Sequence, residues 1–132
     1  METTVRQTIT VAELAELAHK AGLKAGNEAI PTPMVVTMET TINGETQNKV
    51  IDVVDDGLCG FAWINIRPAR GAFVNYLKAR EWGSRNEYAG GWEIWVGQFN
   101  QSVTRKEAYA QAFAKVLNQY GIKAYAGSRL DY

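Results

Sequence analysis

The chain is poor in the residues that most small catalytic and metal-binding domains need. Its 132 residues contain one cysteine (Cys59), one histidine (His19) and three prolines. A single cysteine excludes an internal disulfide framework and fits a reducing compartment. One Cys and one His fall short of the usual zinc ligand sets. No apolar run approaches the roughly 20 residues that a membrane-spanning helix requires. The first ten residues are polar, without the basic start and apolar stretch of a secretory signal. The chain therefore reads as a soluble, cytoplasmic product with no membrane partner. Net charge is absent too, with 14 Lys/Arg against 14 Asp/Glu. Hydrophobic residues make up 46% of the chain, enough for one ordinary globular domain without a metal or disulfide.

The balance of charge hides a division. Residues 1–60 sum to −5 and residues 61–132 to +5. Such asymmetry points to a negatively charged partner on the second half, or to pairing of the two halves once folded.

Along the chain, Thr10-Val-Ala-Glu13 has the form of a capping box. Leu14, Leu17, Ala18 and Ala21 follow at helical spacing, with Gly22 or Gly26 as the stop. The same stretch resembles the opening of a helix-turn-helix. However, Pro31-Thr-Pro33 and a β-branched run stand where the recognition helix should be. Residues 34–42 and 46–54 read as two strands joined by an Asn43-Gly44 hairpin turn. Asp55-Asp56-Gly57 reads as a second turn, and with Asp52 it matches no calcium-loop spacing.

Residues 61–67 form a third strand, with Phe61, Trp63 and Asn65 on one face and Ala62, Ile64 and Ile66 on the other. A helix is expected from about Pro68, then a polar loop over 83–91. A strand over 92–97 places Glu93 and Trp95 opposite Trp92, Ile94 and Val96. Thr104-Arg-Lys-Glu107 reads as a second capping box. Behind it Tyr109, Ala112, Phe113, Val116, Leu117 and Tyr120 make an apolar stripe ended by Gly121. Residues 122–125 make a short last strand and 128–132 a tail. The order predicts a single α+β domain. Its sheet is mainly antiparallel, a three-strand meander plus one or two further strands, with helices on one face. Phe61, Trp63 and Trp95 then share the other face, as a stacking platform or a subunit interface of a homo-oligomer.

The candidate chemistry lies at the strand-to-helix corner. Arg67 and Arg70 flank the predicted helix start, where a macrodipole disfavours cations and a bound phosphate reverses the sign. Arg85 and Asn86 in the next loop can close over such an anion. Trp63 and Asn65 lie beside it. The alternative is that the arginines are solvated or paired with acids of the first half. Catalysis has little support. Cys59-Gly-Phe-Ala-Trp63 resembles a papain-like Cys-Gly-x-x-Trp, but His19 is upstream and on the expected wet side of its helix. Cys59 reads as a buried small residue. Gly90-Gly91 lacks the lysine and serine of a P-loop. No cofactor is indicated.

The motifs Cys-Gly-Phe-Ala-Trp-Ile-Asn-Ile-Arg-Pro, Gly-Gly-Trp-Glu-Ile-Trp-Val, Lys-Glu-Ala-Tyr-Ala-Gln-Ala-Phe-Ala-Lys-Val-Leu and Gly-Ile-Lys-Ala-Tyr-Ala-Gly-Ser-Arg-Leu-Asp together resemble a family of small tailed-phage and prophage proteins. The resemblance covers about residues 50–132 and supplies a context rather than site residues. It implies an accessory protein that acts in the host cell by binding. Capture of a nucleotide signal of host immunity would suit that role, as would block of a host nucleic-acid enzyme. Three kinds of partner stay open: a nucleotide or other phosphate-bearing ligand, single-stranded nucleic acid, and a host protein.

Overall fold

The computed structural model describes residues 9–31, 34–42, 44–54 and 57–131, and over 34–54 chiefly the backbone. Helix α1 (Val11–Glu28) starts at the expected cap: Thr10 Oγ1 accepts from the Glu13 amide at 3.1 Å and donates to the Glu13 carboxylate at 2.9 Å. Its glycines do not end it. Gly22 and Gly26 belong to the buried stripe of Leu14, Ala15 and Ala18, while Leu17 is exposed. A Cβ on Gly22 would stand 2.6 Å from the Tyr109 ring, and one on Gly26 2.2 Å from the Phe99 ring. The glycines let two aromatic rings lie against the helix backbone, which outweighs their cost to helix propensity.

Strands β1 (Met34–Ile42) and β2 (Glu45–Val54) form an antiparallel hairpin with a bulge at Val36/Thr37. Gly44 has a φ of 81°, as the tight turn requires. Asn43, Asp55 and Asp56 lie outside the described residues. The hairpin is a two-stranded sheet of its own. The expected meander therefore stops after two strands, and the third belongs to a different sheet.

That second sheet has four strands in the order β4-β5-β3-β6, antiparallel throughout. Its centre is β3 (Gly60–Ile66), flanked by β5 (Trp92–Trp95) and β6 (Ala124–Leu130), with the two-residue β4 (Ser84–Arg85) beyond β5. Strand β6 pairs with β3 along its whole length, from Gly60 opposite Leu130 to Ile66 opposite Ala124. It replaces the short strand and tail expected from the sequence. Gly127, which weakens the strand pattern, sits where a Cβ would meet the Trp63 indole at 2.5 Å.

Helix α2 (Ala72–Ala79) begins four residues after Pro68, because Gly71 at φ 107° is non-helical and precedes its first turn. Helix α3 (Val103–Gln119) is capped by Ser102, whose hydroxyl accepts from the Arg105 amide, rather than by Thr104. Glu107 instead accepts from the Ser128 hydroxyl at 2.8 Å, tying α3 to β6. The α3 stripe of Tyr109, Ala110, Phe113, Ala114 and Leu117 packs on Ala62, Ile64, Ile66 and Ile94 of the sheet. Ala112 and Val116 are only half-buried and Tyr120 is exposed, so this stripe sits about one position round from the expected one. The fold is α+β, with the helices on one face of the four-stranded sheet and mixed with the strands along the chain.

His19 is not on a wet face. It is half-buried, its Nδ1 hydrogen-bonded to the Tyr109 hydroxyl, with its ring edge-on to Tyr109 and Trp82. Cys59 departs from expectation in the opposite sense. It is exposed, in an isolated bridge to Ser102 at the entry to β3. No helix among the described residues is long and apolar enough to cross a membrane.

Candidate functional site

The face of the four-stranded sheet away from the helices carries a continuous row of rings. Trp63 and Trp95 are opposite each other in register, with centroids 5.0 Å apart, and Phe61 meets Trp95 edge-on at 5.9 Å. Trp95 is 46% exposed and Tyr125, opposite Asn65 on β6, is 56% exposed. Arg129 closes one end of the row, its guanidinium 5.3 Å from the Phe61 ring centroid and 5.9 Å from that of Trp95.

The other end opens into a cavity of about 420 Å³ bordered by Trp63, Asn65, Arg67, Asn86, Glu93 and Tyr125. That volume lies within the range of small-molecule sites. Each side chain comes from a different local device. Alternation along β3 brings Trp63 and Asn65 to this face, and Arg67 follows in the same phase just past the strand end. Alternation along β5 does the same for Glu93. Asn86 arrives through the turn between β4 and β5. Its Oδ1 accepts from the amides of Tyr88 and Ala89, both at 2.9 Å, which folds the loop back over the strand ends. Gly90 and Gly91, both with positive φ, let the returning backbone pass close to Asn65. A Cβ at Gly91 would lie 2.3 Å from Asn65 Oδ1.

A hydrogen-bonded chain lines the floor. Arg67 Nε donates to Asn65 Oδ1 at 2.9 Å. Asn65 Nδ2 donates to the Gly90 carbonyl and to Glu93 Oε2, both at 3.0 Å. Asn86 Nδ2 donates to the same carboxylate oxygen at 2.8 Å. Asn65 and Glu93 are both buried. Among the described residues Glu93 has no ion-pair partner, so two amides and no cation face its carboxylate.

The six residues expected to form the site thus separate. Trp63, Asn65, Arg67 and Asn86 share the cavity. Arg70 lies in a neighbouring concavity of about 420 Å³ around the start of α2, with Pro68, Phe73, Ile122 and Lys123. Arg67 borders both. Arg85 pairs with Trp92, in the phase opposite to Glu93, and so belongs to the other face of the sheet. Neither Arg67 nor Arg70 is paired with a carboxylate among the described residues. Glu93 and Tyr125 were not among the expected residues. The acid between Trp92 and Ile94 in an otherwise apolar strand was the available signal for Glu93. Tyr125 fell at the end of a strand read too short.

A wider groove of about 580 Å³ runs between α3 and β6. Its Asn118 is already engaged at both ends of its amide with the Ala124 backbone, clamping β6 to the helix. The sheet-face cavity is therefore the better candidate. Among the described residues no three His, Cys, Asp or Glu side chains gather as a metal site.

No protein family, curated protein or solved structure matches the chain.

Proposed function

We propose that the protein is a non-catalytic binder of a phosphate-bearing ligand such as a nucleotide, with the base laid against Trp63 and Tyr125 and the phosphate at Arg67. The observation that carries this reading is the cavity itself. It joins an exposed ring, a half-buried one, an arginine without a carboxylate partner among the described residues and a fixed set of amide groups within one space of nucleotide size. Rings supply stacking area, and a guanidinium is matched to phosphate oxygens. Arg67 also borders the concavity that contains Arg70 and Lys123, so a second phosphate has cations within reach. In the setting that the phage-protein resemblance implies, such a binder sequesters a host nucleotide signal.

The test is a thermal-shift and calorimetric screen against mono-, di- and cyclic nucleotides and short oligonucleotides. A ligand that binds only the folded form raises the melting temperature. Trp63→Ala is expected to weaken a hit by about 1–3 kcal/mol, the usual value of one stacked base. Arg67→Ala is expected to weaken phosphorylated ligands more than the nucleoside, which loses only the hold of Arg67 Nε on Asn65. Hits insensitive to both changes would place the site elsewhere.

The exposure of Trp95 and Tyr125 favours a second reading, in which the ring row docks on a host protein or another copy of this chain. That reading predicts a stable protein complex and indifference to nucleotides. Single-strand binding on the same face predicts a steep loss of affinity with salt, scaling with the phosphates engaged.

A further inference from the structure

The cavity is chemically lopsided, and its buried end restricts which base it can take. Glu93 is only 8% exposed, yet it borders the cavity. A carboxylate has about four acceptor positions. The amides of Asn65 and Asn86 occupy Oε2, and Oε1 carries no hydrogen bond among the described residues. No buried side-chain polar atom among the described residues lacks a partner, so Oε1, which has none, is not sealed from solvent. The neighbouring amides cannot turn to compensate. Asn65 Oδ1 is engaged by Arg67, and Asn86 Oδ1 by two backbone amides, which keeps both NH₂ groups on Glu93. What the floor offers a ligand edge is therefore an acceptor.

We infer that the cavity selects guanine among the bases. This rests on the nucleotide reading above and adds the identity of the base. Guanine presents two adjacent N–H donors, N1–H and the 2-amino group, and both converge on Oε1, because the two acceptor positions of Oε2 are taken by the amides. Adenine sets its N1 lone pair beside its single amino donor, and cytosine does the same with N3. Uracil has one donor between two carbonyls. Each of these turns at least one lone pair toward Glu93. Hypoxanthine retains N1–H but lacks the amino group, so it isolates one of the two contacts.

The experiment is calorimetric titration of the full chain with GMP, IMP, AMP and CMP at one salt concentration. GMP is expected to bind at least about tenfold tighter than IMP, as a hydrogen bond to a charged group commonly gives. AMP and CMP are expected to be weaker still. Comparable affinities for all four would overturn the base assignment and leave the nucleotide reading standing. No binding by any nucleotide would overturn both. In Glu93→Gln, with folding checked by its melting curve, the GMP-to-IMP ratio is expected to fall toward one. A retained ratio would remove Glu93 as the selecting group.

Discussion

Gly22 lies under the ring of Tyr109 and sets how closely α1 approaches α3. Alanine there gains up to about 1 kcal/mol of helix propensity but forces apart a packed ring and backbone, which typically costs about 1–3 kcal/mol. Gly22→Ala is therefore expected to lower the melting temperature, a reversal of the usual exposed-helix result that thermal denaturation will show. Tyr109 also carries a pH dependence. Burial pushes its phenol well above the ordinary value of 10.0. A raised folded-state value means that the neutral form is favoured in the native protein. The associated stability is complete below about pH 10 and is lost as pH rises beyond it. Denaturant titrations from pH 8 to 11 are expected to show falling stability, with a shallower fall in Tyr109→Phe. At this scale the sequence was legible where a residue acts locally, as in the Thr10–Glu13 cap. It was not legible for Gly22, Gly26 and His19, whose roles are set by rings about 75 to 90 positions further along.

The start of α3 offers a clean comparison between two candidate caps. Ser102→Ala removes the hydroxyl that accepts from the Arg105 amide and is expected to cost about 1 kcal/mol, whereas Thr104→Ala is expected to be nearly neutral. Equal losses in urea denaturation would reverse the assignment. Thr104-x-x-Glu107 matched the capping pattern, but the cap belongs to the residue at which the chain leaves the β3 bridge, and Ser102 is bridged to Cys59. Strand β6 was cut short for a similar reason. Gly127 reads as a break until the indole lying across it is known. The candidate cavity was legible as far as alternation reached: Trp63 and Asn65 along β3, with Arg67 beyond. Asn86 followed from its loop. Arg85 could not be sorted from Asn86 before the pairing of β4 with β5 fixed its face.

For the whole molecule, the α+β class followed from the order of elements, but the split into two sheets did not. Nothing in a hairpin's own residues states whether the next strand will join it. Because β1 and β2 pair only with each other among the described residues, and an isolated hairpin is at best marginal in water, their amides are expected to exchange far sooner than those of β3. Hydrogen–deuterium exchange will check this. Protection equal to that of β3 would mean that another surface covers the hairpin. The placement of β3 also has a bearing on synthesis. Of the four strands in its sheet the central one leaves the ribosome first, and both of its neighbours are translated later, one of them after α3. A nascent chain must therefore carry an apolar, unmated strand until Trp92 and then Ala124 emerge. In that interval it is a template for mispairing with other chains, and the rate of elongation through α3 sets how long the hazard lasts.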